Sequence, residues 1–585
     1  MAANGDTDRK TRIGTDDVVG VGSFHKTLPH NQYGEVCSTA FEKLVKATRG
    51  NGTGFSGVPQ GSGDAAQLTN PQGGLAADQL THHPSAYEMP PAPKFDSIST
   101  AAEMTELYWM SLLRDVPLNT FTNSESTQGL LVSEAADELQ AYFEQAIADG
   151  SDPGRLMPGI DLPGSSAQLN PITPANIFRL GLPGEEVGPM ISQFFVRPVA
   201  FGTQSIDQRQ RPYKADLDFL TDFSDWLNVQ KTGRDCDKLA YGQSNEASAM
   251  NFENEPRYIS TMRDLARFVN KDALHQAYFN AALLLLSGKA KWTAGNPYGD
   301  FGILATREQG FGVLGGPHIL ALVSEVATRA LKIVWNQKWQ VHLRLRPEVY
   351  GGRAHVQFQG VNGTLRDYGL PGWVATTKAA TRIKDKNNSL LLPLAFTAGS
   401  PTHPAYGAGH ATVAGACVTI LKAFFQTFET CNGEDRPIPF LSLKERVDPT
   451  TKEPLPHDPT YQIIAYETGA CPKDSKALLG RRRLVGDVDK SLTIEGELNK
   501  LAQNVAMGRS MGGVHWRSDN SRSLILGEAI AAEILANITV DANERPSFEF
   551  RTFARKADGL PKKVQITAGR IFVDGMLVDT HGSSL

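Results

Sequence analysis

Cysteine is scarce in this chain and poorly spaced for metal chemistry. Cys37, Cys236, Cys417, Cys431 and Cys471 are spread over 585 residues. No two form a CxxC pair, so a structural zinc site is excluded and only one or two disulfides, between subunits included, stay open. Positive charge is also short: a net charge of −5 excludes a chain whose partner is a nucleic acid, which would need a strongly basic face. Long apolar runs are missing as well. The most apolar stretch, Ala281 to Leu286, is far below the roughly 20 residues of a membrane span, so no membrane partner is expected. The opening MAANGDTDRK has no basic start followed by an apolar core, and a cleaved secretion peptide is not expected. The expectation is a soluble protein in which any anion site is a local concentration of cations.

Residues 1–100 hold "GNGTGFSGVPQGSG" and "MPPAPK", which predict long loops. Such a segment is either a flexible tail or an arm that wraps a neighbouring subunit. From 101 onward, apolar residues recur at helical spacing over 101–115, 130–148 and 259–287. In "PHILALVSEVATRALKIVW", Ile319, Val323, Val326, Ala330 and Val334 share one face, and Pro317 suits a first turn. Residues 411–429 and 491–511 read the same way, followed by a helix capped by Asp519 or Asn520. The last 40 or so residues mix β-branched and aromatic residues with glycines, which predicts one or two hairpins over 541–585.

Three segments bring cations and histidines to predicted helix ends. In "QKWQVHLRLRPE", Lys338 ends one helix and Arg346 precedes Pro347; alone, these are ordinary charges at a helix C-terminus. In "SPTHPAYGAGHATVAGAC", His403 and His410 bracket Gly407, Ala408 and Gly409. Small residues there let backbone amides approach a ligand, and a helix start offers unpaired N–H groups and a positive dipole end. In "MGRSMGGVHWRSDNS", Arg509 and His515 flank Gly512 and Gly513. Six residues of unbroken helix would turn the two about 240° apart, so the glycines must break it for both to face one place. His515 and Asp519 share a face if a helix starts there.

Each segment is weak alone; all three in this order are not. Lys-x7-Arg-Pro, then small-Gly-His, then Arg-x5-His-x3-Asp resembles the signature of the superfamily that joins vanadium haloperoxidases with type 2 phosphatidic acid phosphatases. Both activities need one cage, because phosphate and vanadate are tetrahedral oxyanions held by cations and amides. The seven residues between Lys338 and Arg346 match the algal-type bromoperoxidases, whereas the phosphatases and the fungal chloroperoxidase have six. His403 matches a second active-site histidine of the bromoperoxidases. "LGGPHILALVSEVATRALKIVWNQKW", "ELNKLAQNVAMGRSMGGVHWRSD" and "SFEFRTF" extend the likeness to the red-algal enzymes over about 310–585. A chain without a secretion peptide suits a cyanobacterial, hence cytoplasmic, relative.

The resemblance implies a mainly α fold of two four-helix bundles, over 101–310 and 311–540, with long loops and the small β-hairpin region at the end. It implies a homo-oligomer, a dimer or a dodecamer. Vanadate is the implied cofactor, with His515 as the vanadium ligand. Lys338, Arg346, Arg509 and the amide of Gly409 hold the oxyanion's oxygens, beside Ala408. His410 is the acid-base group, His403 its neighbour on the halide side, Lys338 also the group that polarises bound peroxide, and Asp519 a support behind His515. Hydrogen peroxide, bromide or iodide, and an organic acceptor are the implied reactants, and polarity around Gln337 and Trp339 bears on chloride. Relatives have serine where Ala408 stands, so this chain lacks a hydroxyl aimed at vanadate. Calcium, found in red-algal relatives, is implied over "GNPYGDFGILATREQG", where only Asp300 offers a carboxylate of the expected kind. Two other readings stay open: an acid phosphatase in which His515 attacks phosphorus and Asp519 orients it, and an oxyanion-storing shell without catalysis. "GRRR" at 480–483 reads as a solvated or intersubunit charge cluster.

Overall fold

The stretch with the clearest helical period folds as its pattern predicts. Ile319, Val323, Val326, Ala330 and Val334 are all buried on one face of a helix spanning Gly316–Asn336, with Pro317 in its first turn. The computed structural model describes residues 10–13, 16–50, 54–148, 171–243, 248–300, 302–448, 450, 454–455, 461–469, 481–484, 486–556 and 559–578. Among them are thirteen α-helices: α1 Ser38–Arg49, α2 Ile98–Leu112, α3 Thr127–Ala148, α4 Phe223–Thr232, α5 Met262–Lys271, α6 Gln276–Ser287, α7 Gly316–Asn336, α8 Pro347–Phe358, α9 Lys378–Asn387, α10 Gly409–Phe424, α11 Asp487–Ser491, α12 Ile494–Met511 and α13 Arg517–Asp541.

The protein is mainly α, and its helices pack in two groups of four, around α2 and α10, though not within the expected bounds 101–310 and 311–540, because α8 and α9 join α2 and α5 packs on α12. Around α2 pack α3, α8 and α9; around α10 pack α7, α12 and α13. One continuous apolar core runs through both, from Met104 and Trp109 on α2 to Val413 and Ile420 on α10 and Ile530 on α13. The α10–α13 crossing is close because both helices carry glycine there. A side chain on Gly415 would run into the Leu524 carbonyl, and one on Gly527 into that of Thr412. By length and composition α13 passes for a membrane span, yet 78% of its apolar window is buried inside the protein; it is a core helix.

Several boundaries differ from the sequence reading for local reasons. The pattern over 259–287 is two helices, α5 and α6, separated at Asp272–His275. The helix read over 411–429 starts at Gly409 and ends at Phe424, where Phe425 pairs with Trp292 in an isolated bridge. Between α10 and α12 the chain makes small antiparallel ladders that the sequence reading missed. One of them, Phe428–Cys431 with Glu434–Pro437, turns at Asn432 and Gly433, both with positive φ, the Asn-Gly pair that favours a tight hairpin. The predicted C-terminal hairpin region is a four-stranded antiparallel meander, Ser547–Arg555, Pro561–Thr567, Arg570–Val573 and Met576–Val578. Its last two turns, Ala568-Gly569 and Asp574-Gly575, again place both residues at positive φ.

The loop-rich start lies against the second group and reaches its end nearest the site. Lys26 is buried and donates to Glu348 Oε1 at 2.8 Å and to the carbonyls of Ala398 and Ser400 at 2.8 and 2.6 Å. Glu348 Oε2 accepts from the Ser400 amide at 2.7 Å. The Gly74 carbonyl accepts from Asn336, and the carboxylate of Glu533 on α13 binds His82 and Tyr87.

Candidate active site

Four breaks in helices place the predicted cations around one point. After α7 the backbone widens into a π-helical turn over Gln337–His342, closed by the Leu343 amide on the Lys338 carbonyl at 3.0 Å, with Leu343 at φ 47°. Arg346 is the N-cap of α8, and Pro347, with its fixed φ, begins that helix. Gly409 is the first residue of α10, whose first-turn amides have no acceptor within the helix. Past Met511, Gly512 closes α12 and Gly513, at φ 84°, reverses the chain. The Val514 amide returns to the Arg509 carbonyl at 3.1 Å, which brings His515 back beside Arg509. One detail departs from the sequence reading: His515 and Asp519 do not sit on one helix face, because α13 begins only at Arg517. They meet because the Asp519 carboxylate turns back over the helix start, where Oδ2 accepts from the Trp516 amide at 3.0 Å and from His515 Nδ1 at 2.9 Å.

Arg346 is the hub. Its Nε donates to the His403 carbonyl at 3.0 Å and one terminal nitrogen to His403 Nδ1 at 2.9 Å. The other donates to the Val514 carbonyl at 2.7 Å and to His515 Nε2 at 2.9 Å. A guanidinium cannot accept, so both histidine nitrogens that face it carry lone pairs. That assigns the ring hydrogen of His515 to Nδ1, toward Asp519, and that of His403 to Nε2, since the Pro404 carbonyl, 3.2 Å from His403 Nδ1, already accepts from Lys338 and is farther than Arg346. Lys338 Nζ donates to the carbonyls of Pro404 and Ala405 at 2.8 and 3.1 Å, and Arg509 to that of Val269 at 2.7 Å.

All three cations are buried, yet their hydrogen-bond partners are carbonyls and histidines, and none is ion-paired with a carboxylate among the described residues. The neighbouring Arg344 shows the contrast, paired with Asp519 at 2.8 Å and Glu103 at 3.1 Å. Buried charge without a counter-ion is costly, and the titration of the cage shows it. Burial, then the Arg346 charge, pushes the Lys338 ammonium well below its ordinary range. Burial and Arg509 hold Arg346 down to about 9. His403 and His515 are depressed too, by burial first and then by Lys338 and Arg346 respectively, so both are neutral. The Nε of Arg509 is buried without any partner.

His410 sits on the first turn of α10 with its side chain 20% exposed, and its Nε2 lies 3.0 Å from Asp272 Oδ1. Asp272 stands in the break between α5 and α6, which the sequence reading took as unbroken helix. Trp335 is a second missed residue. Its ring lies 4.9 Å from that of His403, the Lys338 ammonium is 5.5 Å from it, and a side chain on Gly409 would meet it. The signal was its place one turn before Lys338. Trp339 turns away into a separate apolar cluster with Phe24 and Phe55, and Gln337 bonds the Tyr87 carbonyl and His342. Ala408 is the N-cap of α10 and has no side-chain acceptor to offer; its amide donates to Ser523 Oγ at 2.7 Å.

Away from the cage, Arg481 is not solvated as read. It is buried with its guanidinium 3.9 Å from the Tyr466 ring centre and 4.5 Å from that of Tyr258, while Arg482 and Arg483 are exposed. Cys37, Cys236, Cys417 and Cys431 are free thiols; Cys471 lies outside the described residues. Among the described residues no three His, Cys, Asp or Glu side chains converge as a metal cluster would.

This arrangement has the donors that suit a tetrahedral oxyanion: three buried cations and a helix start, with two histidines beside them. Known proteins are similar over most of the chain. Residues 318–542 match the family description "VCPO second helical-bundle domain". A vanadium-dependent bromoperoxidase of Ascophyllum nodosum is 31% identical over 541 residues, covering 91% of this chain and 85% of that one. One of Corallina officinalis is 33% identical over 527 residues, covering 83% and 78%. A solved structure titled as the homohexameric second vanadate-dependent bromoperoxidase of Ascophyllum nodosum superposes with a TM-score of 0.72 at 27% identity, over 96% of this chain and 86% of that one.

Proposed function

This chain belongs to the vanadium-dependent bromoperoxidases, and from that premise we propose that it oxidises bromide, and more readily iodide, with hydrogen peroxide to hypohalous acid, which halogenates an organic acceptor. The observation that carries the reading is the charge of the cage: Lys338, Arg346 and Arg509 are buried with no carboxylate paired to any of them among the described residues. An oxyanion supplies the missing charge, and vanadate fits the donors present. Asp519 fixes the ring hydrogen of His515 on Nδ1, which leaves the lone pair on Nε2; Arg346, now 2.9 Å from it, would turn from Nε2 to an oxyanion oxygen for vanadium to take that lone pair. Lys338, Arg346, Arg509 and the amide of Gly409 would hold the oxygens, beside Ala408.

Vanadate, when bound, activates peroxide for a two-electron oxidation of halide while its own oxidation state is unchanged. The remaining work belongs to the chain. With Nε2 held by Asp272, His410 has Nδ1 left to take a proton from an incoming peroxide and return one to a departing oxygen, on a side chain that is part-exposed. Lys338, held by two carbonyls, keeps a fixed cation where negative charge develops. His403, neutral with its hydrogen on Nε2, offers a donor to a halide between Trp335 and the cage. Calcium has no part in this reading. The homohexamer of the Ascophyllum relative supports a homo-oligomer here, a dimer or a larger assembly of dimers.

The test is bromination of monochlorodimedone by protein stripped of oxyanion and then supplied with vanadate. Activity that requires vanadate and is competed by phosphate supports the reading. Phosphatase activity inhibited by vanadate, without bromination, would replace it with the phosphohistidine alternative, which the relatives do not favour. Replacing His410 by Ala is expected to remove turnover and leave vanadate binding; a storage protein would have no turnover to lose.

A further inference from the structure

The Tyr241 hydroxyl is a polar group beside the cage that the reading above leaves without a task. Its oxygen is buried and makes no hydrogen bond of good geometry, while the Arg509 guanidinium stands close enough to act on it by hydrogen bonding. Its ring centre lies 5.6 Å from the Arg509 guanidinium carbon, and the Phe396 ring meets it edge-on at 5.7 Å. The charges that act on it are those of Arg509, Arg346 and Asp272, so it stands where the two arginines and the partner of His410 converge. A buried hydroxyl is rarely left idle. The Arg509 Nε is buried without a partner as well, so two unused donors lie on the same side of the cage.

The chemistry of the neighbours says what is missing. Lys338, Arg346 and Arg509 are donors only, and the carbonyls of Pro404, Ala405, Val514 and Val269 are already taken by them. A phenol beside an arginine can accept from it, but its own hydrogen then needs an acceptor, and a bound oxyanion is the acceptor the cage is built to receive. We infer that Tyr241 donates its O–H to the bound oxyanion, directly or through one water, and that it supplies the hydroxyl which Ala408 at the start of α10 does not have. This rests on the oxyanion reading above and goes one step beyond it.

Tyr241→Phe tests it, because the ring stays and only the hydroxyl goes. Vanadate affinity is measured by equilibrium dialysis on unaltered and variant protein, and the melting temperature of both is measured without vanadate. The expected result has two opposite parts: vanadate affinity falls about tenfold or more, as loss of a hydrogen bond to a charged group does, while the vanadate-free protein melts at the same temperature or higher, since an unused buried hydroxyl has been removed. A merely structural tyrosine would lower the melting temperature and leave affinity alone, and that result overturns the inference. Equal vanadate affinity in both proteins overturns it too. Failure of the unaltered protein to bind vanadate would instead overturn the bromoperoxidase reading and take this inference with it.

Discussion

His515 Nδ1 stands 2.9 Å from Asp519 Oδ2, and the same carboxylate reaches Arg344 through its other oxygen at 2.8 Å. One buried charge thus fixes the ring hydrogen of the histidine proposed to ligate vanadium and neutralises an arginine just behind the cage. That charge reaches Lys338 and Arg346 at a distance but is paired with neither, so a net positive charge stays at the cage.

Asp519→Asn keeps the shape and removes the charge. Arg344 retains Glu103, so the fold should hold while the hydrogen position on His515 is no longer dictated. Vanadate affinity is expected to fall about 10- to 100-fold, the usual cost of disturbing a group that orients a metal ligand. A vanadate titration of bromination rate reads it, with activity regained at excess vanadate.

Ala408→Ser should act twice. As N-cap of α10, serine can accept from an amide of the first turn, which Ala408 cannot; that is worth about 0.5–2 kcal/mol and raises the melting temperature. Its hydroxyl can also donate to the oxyanion, and vanadate binding by dialysis should tighten. Tighter melting with unchanged vanadate affinity would remove the hydroxyl from the argument and leave only the cap.

Acid stability has an identifiable contributor in His342. Burial, then the Arg344 charge, lowers its pKa to about 3 from an ordinary 6.5; Nδ1 is buried unpaired, and the ring meets Tyr406 edge-on at 4.7 Å. The unfolded chain therefore binds a proton that the folded one refuses between those values. Stability is full above about pH 6.5 and declines as pH falls toward 3, by up to about 1.4 kcal/mol per pH unit for this group. Chemical denaturation of His342→Gln beside unaltered protein, at intervals from pH 7 to 4, should show the variant losing less stability; parallel curves would clear His342.

What the sequence made legible was the part written in short-range code. Lys338, Arg346, Arg509 and His515 could be read because proline and paired glycines mark the breaks that turn them inward, and Asn432-Gly433 carried an equally local hairpin signal that was passed over. Asp272 was hidden because no glycine or proline separates α5 from α6 in "NKDALHQ"; the break is imposed by packing. Trp335 looked like one more apolar residue on a helix, and Arg481 like one more charge in a basic run, until the rings of Tyr258 and Tyr466 enclosed it. Lys26 and Tyr241 gave no sign at all, because Lys26 acquires its meaning from Glu348 and Tyr241 chiefly from Arg509, both far away in the sequence.

Lys26 also makes the enzyme vulnerable at a distance. It lies 322 residues from Glu348 and 374 from Ser400, and its ammonium is the counter-charge to a carboxylate two positions from Arg346. A protease that cut the loop-rich start free would leave every helix of the second group intact and every cage residue in the chain. It would nonetheless strand a buried anion behind Arg346 and release the loop that carries His403. Loss of function would then arrive with a normal helical spectrum and no damaged catalytic side chain, so an inactive preparation of this protein should first be checked for its N-terminal end.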